Sequence, residues 1–145
     1  MSTTTAVTAW EALFRAQVSV LRNLQEDFPS HELSLNEYDV LFNLSGQPRH
    51  RLRLRDLNRH LLLTQPSVSR LVDRLVGRGL VRKESDPGDG RGTVVCLTSE
   101  GFRLFRRVAV VHARSIAEQV GGALDEDELR TLAALCEKLR AAATS

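Results

Sequence analysis

Between Val7 and Phe28 the apolar residues Trp10, Leu13, Phe14, Val18, Leu21, Leu24 and Phe28 recur at steps of three and four, which traces one face of a long helix. Pro29 closes it, because proline disfavours helical backbone in the residue before it. Ser34 followed by Glu37 has the spacing of a capping box, and opens a short second helix through Tyr38, Leu41, Phe42 and Leu44 that stops at Ser45-Gly46-Gln47-Pro48. Leu54, Leu57 and Leu61 predict a third helix of about two turns. Leu62-Leu63 then lead to Thr64, whose hydroxyl suits the N-cap of a fourth helix, with Pro66 in a first turn where its missing N–H costs nothing. That helix buries Val68, Leu71, Val72 and Leu75, presents Ser67, Ser69, Arg70, Asp73 and Arg74 elsewhere, and ends at Gly77-Arg78-Gly79, a glycine suited to a left-handed C-cap.

The periodicity then changes. Leu80 to Lys83 and Thr93 to Leu97 read as short strands, and the turn-rich stretch Asp86-Pro87-Gly88-Asp89-Gly90-Arg91-Gly92 between them predicts an extended hairpin loop. Thr98 and Ser99 start another long helix, with Phe102, Phe105, Val108, Val111, Ile116 and Val120 running to Gly121-Gly122. A last helix begins near Leu124 with acids in its first turn, where the dipole favours them, and carries Leu129, Leu132, Leu135, Cys136 and Leu139 on one face. The fold class expected is mainly α with a small β-hairpin wing: a winged helix-turn-helix with long N- and C-terminal helices. Residues 1–145 are expected to form a single domain, with arms at about 6–30 and 100–143 and a winged helix-turn-helix lobe at about 34–98. Such a fold suits DNA, because a helix fits the major groove while a hairpin reaches the backbone or the minor groove.

Charge sharpens this picture. The formal net charge is only +2, yet the segment from Arg49 to Arg107 holds 14 basic residues against six acidic ones, a balance of +8 that leaves −6 for the rest. A basic middle between acidic arms is expected where one segment meets a polyanion, although a solvated arginine-rich face would look the same. Arginine supplies 18 of the 20 basic residues, so its abundance alone identifies no phosphate site. A hydrophobic content of 42% excludes a disordered chain. No apolar run is long enough for a membrane span, and no basic segment followed by an apolar one opens the sequence, so no membrane partner is expected. Cys96 and Cys136 lie far apart, which fits a reducing cytoplasm better than a disulfide scaffold. No phosphate-cradling glycine loop, nucleophile elbow or His-Glu metal motif occurs, so neither catalytic residues nor a cofactor are expected.

The run Thr64-Gln65-Pro66-Ser67-Val68-Ser69-Arg70-Leu71-Val72-Asp73-Arg74-Leu75, together with Leu57, Leu61, Gly79-Leu80-Val81, Asp89-Gly90-Arg91 and Leu97-Thr98-Ser99-Glu100-Gly101, closely resembles the MarR family of transcriptional regulators. The likeness covers nearly the whole chain. Two positions depart from the family pattern: Leu62 stands where the turn often carries Gly, and Asn58 where a small residue, commonly Ala, lets two helices approach.

The resemblance implies that Gln65, Ser67, Ser69 and Arg70 face base edges or nearby phosphates in the major groove, with Thr64 and Arg74 nearer the backbone. Arg70 is the leading base reader, since a guanidinium makes a bidentate contact to guanine. Arg91 resembles the wing arginine that enters the minor groove, and Asp89 is placed to orient it. Arg82, Lys83, Arg49, Arg51 and Arg53 are implied phosphate contacts, which supply affinity without sequence information. The alternatives are a helix-surface pair of Arg70 or Arg74 with Asp73, and local backbone bonding for Ser67 and Ser69.

The resemblance further implies a homodimer through the apolar arms, double-stranded DNA with an inverted-repeat operator as partner, and repression released by a small aromatic or phenolic effector. Trp10, Phe14, His31, Tyr38 and Phe42 are candidates to line the effector cleft, or are plain core. Other readings stay open: a redox sensor through Cys96 or Cys136, a metal sensor should Glu26, His31, Glu32 and His112 converge, and a protein-interaction module without specific DNA binding.

Overall fold

The computed structural model describes residues 2–61 and 63–144. Six α-helices and three strands run through them in the order α1 (Thr3–Asp27), α2 (Leu35–Ser45), β1 (Arg51–Arg53), α3 (Leu54–His60), α4 (Gln65–Gly77), β2 (Val81–Asp86), β3 (Asp89–Leu97), α5 (Ser99–Gln119) and α6 (Glu126–Ala143). This is the mainly α, winged helix-turn-helix class that the periodicity predicts. The chain divides into a central unit, Pro29–Val111, and a terminal unit made of Met1–Phe28 with His112–Ser145. Helix α5 runs through the boundary between them.

In the central unit the helix ends lie where local chemistry puts them. The Glu37 N–H donates to Ser34 Oγ at 3.1 Å while the Ser34 N–H donates to Glu37 Oε1 at 2.9 Å, the two halves of a capping box. At the start of α4, Thr64 Oγ1 accepts the Ser67 N–H at 3.3 Å, and Pro66 occupies the first turn. At its other end Gly79 takes φ +74°, a left-handed conformation that glycine adopts without a Cβ penalty, and the Leu80 N–H closes onto the Leu75 carbonyl at 3.1 Å. Between these caps Val68, Leu71, Val72 and Leu75 are buried together with Val40, Leu41 and Leu44 of α2 and Leu57 of α3. Gly101, in the first turn of α5, packs against the Leu80 main chain, where a Cβ would collide with the Leu80 carbonyl oxygen.

The sheet is antiparallel in the order β1-β3-β2, with Leu52 and Lys83 flanking Val95 from either side. Two expectations change here. Strand β1 forms from a stretch read only as a basic lead-in to the third helix, because β3 offers it a free edge for pairing. The hairpin is also longer and its loop shorter than predicted: β2 reaches Asp86 and β3 starts at Asp89, so Pro87-Gly88 make the turn, with a register shift at Ser85/Asp86. The Asp86 carboxylate accepts the Gly88 N–H at 3.0 Å and holds that turn.

On α3, Asn58 is half-buried, and its Oδ1 has no hydrogen-bond partner among the described residues. The second departure from the family pattern, Leu62, lies outside the described residues.

The terminal unit comprises α1, the end of α5 and α6. Asp125 and Glu128 form a second capping box at the start of α6. Phe28 is buried with its ring edge-on to His112 at 5.1 Å, and Asn23 Nδ2 donates to Gln119 Oε1 at 3.2 Å. Much of the predicted apolar face of this unit stays uncovered: Trp10 is 60% exposed, Leu135 59% and Leu139 56%. Leu13 and Ala16 of α1 and Leu132, Leu135, Cys136 and Leu139 of α6 line an open apolar groove of about 370 Å³. No described helix is long and apolar enough to cross a membrane.

Candidate nucleic-acid interface

Helix α4 turns its buried stripe inward and leaves Gln65, Arg70, Asp73 and Arg74 exposed, with Ser67 and Ser69 half-buried at the margin. The polar side chains at its N-terminal end are linked. Thr64 Oγ1 donates to Ser67 Oγ at 2.9 Å, and Arg70 Nη2 donates to the same oxygen at 3.3 Å. Thr64 is thus a helix cap first, and the Ser67 hydroxyl is engaged by neighbouring side chains. Arg70 does not pair with Asp73, whose carboxylate is taken by Lys83 of β2. That pair is solvent-exposed on both sides, so a polyanion competes with it at small cost.

The basic residues around the wing divide into paired and free. Arg53 Nε lies 2.8 Å from Asp86 Oδ2, and Asp86 is buried. Arg51 and Arg82 both reach Glu84, each at 3.0 Å, and the Arg82 hydrogen bond holds the Glu84 carboxyl below the usual range. Arg82 and Lys83 are exposed, but like Arg53 they carry acidic partners that spacing did not reveal. Arg91 is exposed next to the hairpin turn, and Asp89 Oδ1 accepts its backbone N–H at 3.1 Å. Asp89 therefore shapes the main chain that carries Arg91, where a contact to the side chain was expected.

The residues considered for an effector separate between the two units. Trp10 and Phe14 form a ring pair in the terminal unit, with centroids 5.9 Å apart. In the central unit Tyr38 stacks on Phe105 at 5.3 Å and neighbours the exposed Phe42 at 6.3 Å. The series continues through Phe102 to His50, whose rings stack at 4.9 Å. Phe102 and Phe105 were expected only as apolar positions of α5, and His50 was not expected among the rings, although the aromatic pair at i and i+3 was visible. Burial pushes the Tyr38 hydroxyl above its ordinary range, with Asp39 adding to the effect. His31 is exposed.

Burial also raises the Cys96 thiol, which opposes a reactive thiolate, whereas Cys136 is exposed in the α1/α6 groove. Among the described residues no three His, Cys, Asp or Glu side chains gather at metal-ligand range.

A family profile described as MarR family matches residues 31–92, the span from the loop before α2 to the wing. Three solved structures share the whole architecture. A MarR family transcriptional regulator from Streptomyces coelicolor in complex with DNA has a TM-score of 0.79 at 26% identity, covering 97% of this chain and 88% of that one. The PcaV transcriptional regulator of Streptomyces coelicolor, in complex with its natural ligand, has a TM-score of 0.70 at 32% identity, covering 91% and 90%. Bordetella bronchiseptica BpsR, whose DNA binding is regulated by 6-hydroxynicotinic acid, has a TM-score of 0.78 at 25% identity, covering 92% and 98%. The polar-faced capped helix, the wing and these likenesses agree: the chain belongs to the MarR family and is a DNA-binding transcriptional regulator rather than an enzyme.

Proposed function

We propose that the protein acts in the cytoplasm as a homodimeric repressor that reads an inverted-repeat operator with α4 and the wing and is released by a small aromatic or phenolic ligand. The observation that carries this reading is the exposed polar face of α4, where Arg70 stands free of any acidic partner among the described residues. Arg70 reads a base, Gln65, Ser67 and Ser69 contribute at base edges or adjacent phosphates, and Thr64 and Arg74 lie nearer the backbone. Arg91, on main chain shaped by Asp89, enters the minor groove, where a weakly hydrated guanidinium meets concentrated negative potential. Arg82 and Lys83 add phosphate attraction after exchanging their exposed acidic partners for DNA, and Arg53 adds to the basic surface while it stays paired with Asp86.

Support for the dimer comes from the uncovered apolar face of the terminal unit, which a second copy buries isologously. Two-fold symmetry then spaces the recognition helices by about one DNA turn, roughly 34 Å. Support for an aromatic effector comes from the ligand regulation of BpsR and from the central ring series, in which the exposed Phe42 offers a stacking face beside the buried Tyr38. His31 of the same unit is a further proposed contact, and the Trp10–Phe14 pair of the terminal unit is a separate candidate.

The test is selection of bound sequences from a random duplex pool, followed by affinity for the best site across a salt series. An inverted repeat with a steep salt slope supports the reading. Absence of enrichment under any redox or metal condition overturns it in favour of a protein-interaction module.

A further inference from the structure

Arg78 counts among the basic residues of the central segment, yet the structure turns it away from the role its charge suggests. It is the C-cap of α4, and its guanidinium bridges two groups on the N-terminal side of α2: Nη1 lies 3.2 Å from Glu37 Oε2, and Nη2 donates to the Glu32 carbonyl oxygen at 2.7 Å. Glu37 is buried, so this is a charge-assisted contact that water screens poorly. The same carboxylate caps α2 through its other oxygen, and the Glu32 side chain accepts from Arg107 of α5 at 3.2 Å. Four side chains thus tie the end of α4 to the start of α2 and to α5, all within the central unit.

We propose that Arg78 is a positioning residue for DNA recognition: it pins the C-terminal end of α4 against α2 and, through Glu32, against α5, and so sets the angle at which α4 presents its polar face. The inference rests on the reading of α4 as the recognition helix. A helix of 13 residues spans about 20 Å, so a small tilt at a loosened C-terminal end displaces the side chains at the other. Those are Gln65, Ser67, Ser69 and Arg70. Arg78 then governs specificity without touching DNA.

The experiment compares the full-length wild type with Arg78→Ala and Glu37→Gln for binding to the selected operator and to a non-operator duplex across a salt series, with thermal melts alongside. Glutamine at position 37 keeps an oxygen for the capping box and sets an NH2 donor, which cannot accept, opposite Arg78. It also removes a negative charge, which electrostatics alone turns into tighter DNA binding. The expected result is loss of operator affinity in both variants by about tenfold, the scale of one base-pair mismatch. The salt slope stays unchanged, and non-operator affinity shifts by less than about twofold.

Operator binding as tight as wild type in both variants overturns the inference while leaving the reading of α4 intact, whatever happens to the melting temperature. An equal loss of Arg78→Ala on both duplexes with a slope smaller by about one makes Arg78 a phosphate contact instead. Tighter operator binding by Glu37→Gln also overturns it. Wild-type protein that enriches no operator overturns the underlying reading and this inference with it. Should Arg78→Ala fail to fold, Arg78→Lys replaces it, since one ammonium holds Glu37 without the second bond to Glu32; an operator affinity equal to wild type then overturns the inference.

Discussion

The guanidinium of Arg53 and the carboxylate of Asp86 meet at 2.8 Å, Nε to Oδ2, and join β1 to the turn of the hairpin. Asp86 is only 7% exposed, and its other oxygen accepts the Gly88 N–H, so Arg53 is the cation that compensates a carboxylate held out of water. Arg53→Ala leaves that carboxylate with a single donor among the described residues, the Gly88 N–H, and is expected to cost about 1–3 kcal/mol of stability in denaturant unfolding. Arg55→Ala on the exposed face of α3 is the comparison, expected within about 0.5 kcal/mol of wild type. Equal midpoints for the two variants would remove Arg53 from the structural role and return it to phosphate binding alone.

Arg70 and Arg91 are expected to separate in a different assay. Arg70→Ala is expected to relax the preference at one position of each half-site by about 1–3 kcal/mol, because the proposed bidentate guanine contact is lost together with the bond to Ser67 Oγ. Arg91→Ala lowers operator affinity, most strongly where the sequence under the wing is A·T-rich, and leaves the oligomeric state as it was. Binding titrations against singly substituted operators distinguish them. A uniform loss across all sequences for Arg70→Ala would make it a phosphate contact, and unchanged affinity of Arg91→Ala at physiological salt would refute the wing assignment.

These two arginines also mark how far sequence reasoning reaches. Helix α4 was legible because its signals are local: a threonine cap, a proline in the first turn, apolar residues at helical spacing and a glycine at the end. Strand β1 was not. Three residues with one apolar side chain carry no period, and Arg51–Arg53 become a strand only because β3 presents an edge. The hairpin ran past its predicted ends for the same reason: Ser85 pairs with Thr93 and Asp86 with Asp89, and the register shift between them takes up Gly90, Arg91 and Gly92, which a glycine-rich string does not advertise. Charge asymmetry pointed to a basic segment, yet Lys83 finds Asp73 ten residues away and Arg78 finds Glu37 at a separation of 41, contacts that depend on the fold. Which arginines are left for DNA is therefore decided by tertiary pairing.

Asn58 offers a prediction of opposite sign. Its Oδ1 is buried without a partner among the described residues, on a helix where alanine has the better intrinsic propensity. An unsatisfied buried acceptor costs about 1–3 kcal/mol, so Asn58→Ala is expected to stabilise the protein by about 1 kcal/mol and raise its melting temperature by a few degrees. A lower melting temperature would mean that the amide packs usefully in the α3 crossing. Gly101→Ala serves as the contrasting variant, expected to destabilise strongly because its Cβ meets the Leu80 carbonyl.

The proposed dimer makes the sharpest demand on the terminal unit. Leu135 and Leu139 are more than half exposed, and in a monomer an exposed leucine tolerates a charge within about 0.5 kcal/mol. If a second copy covers the α1/α6 groove, Leu135→Glu places a carboxylate in a desolvated interface and is expected to yield monomers by light scattering at micromolar concentration. Cys136 supplies an internal reporter, since it lines the same groove and is exposed there, whereas Cys96 is buried in β3 with its thiol pushed up. Wild-type protein is expected to react slowly with a thiol reagent at both positions. Leu135→Glu should react rapidly at one position, Cys136, and at the second only after unfolding. Fast labelling of Cys136 in the wild type, with a monomeric mass, would instead leave the apolar face of α6 open to solvent and end the homodimer proposal.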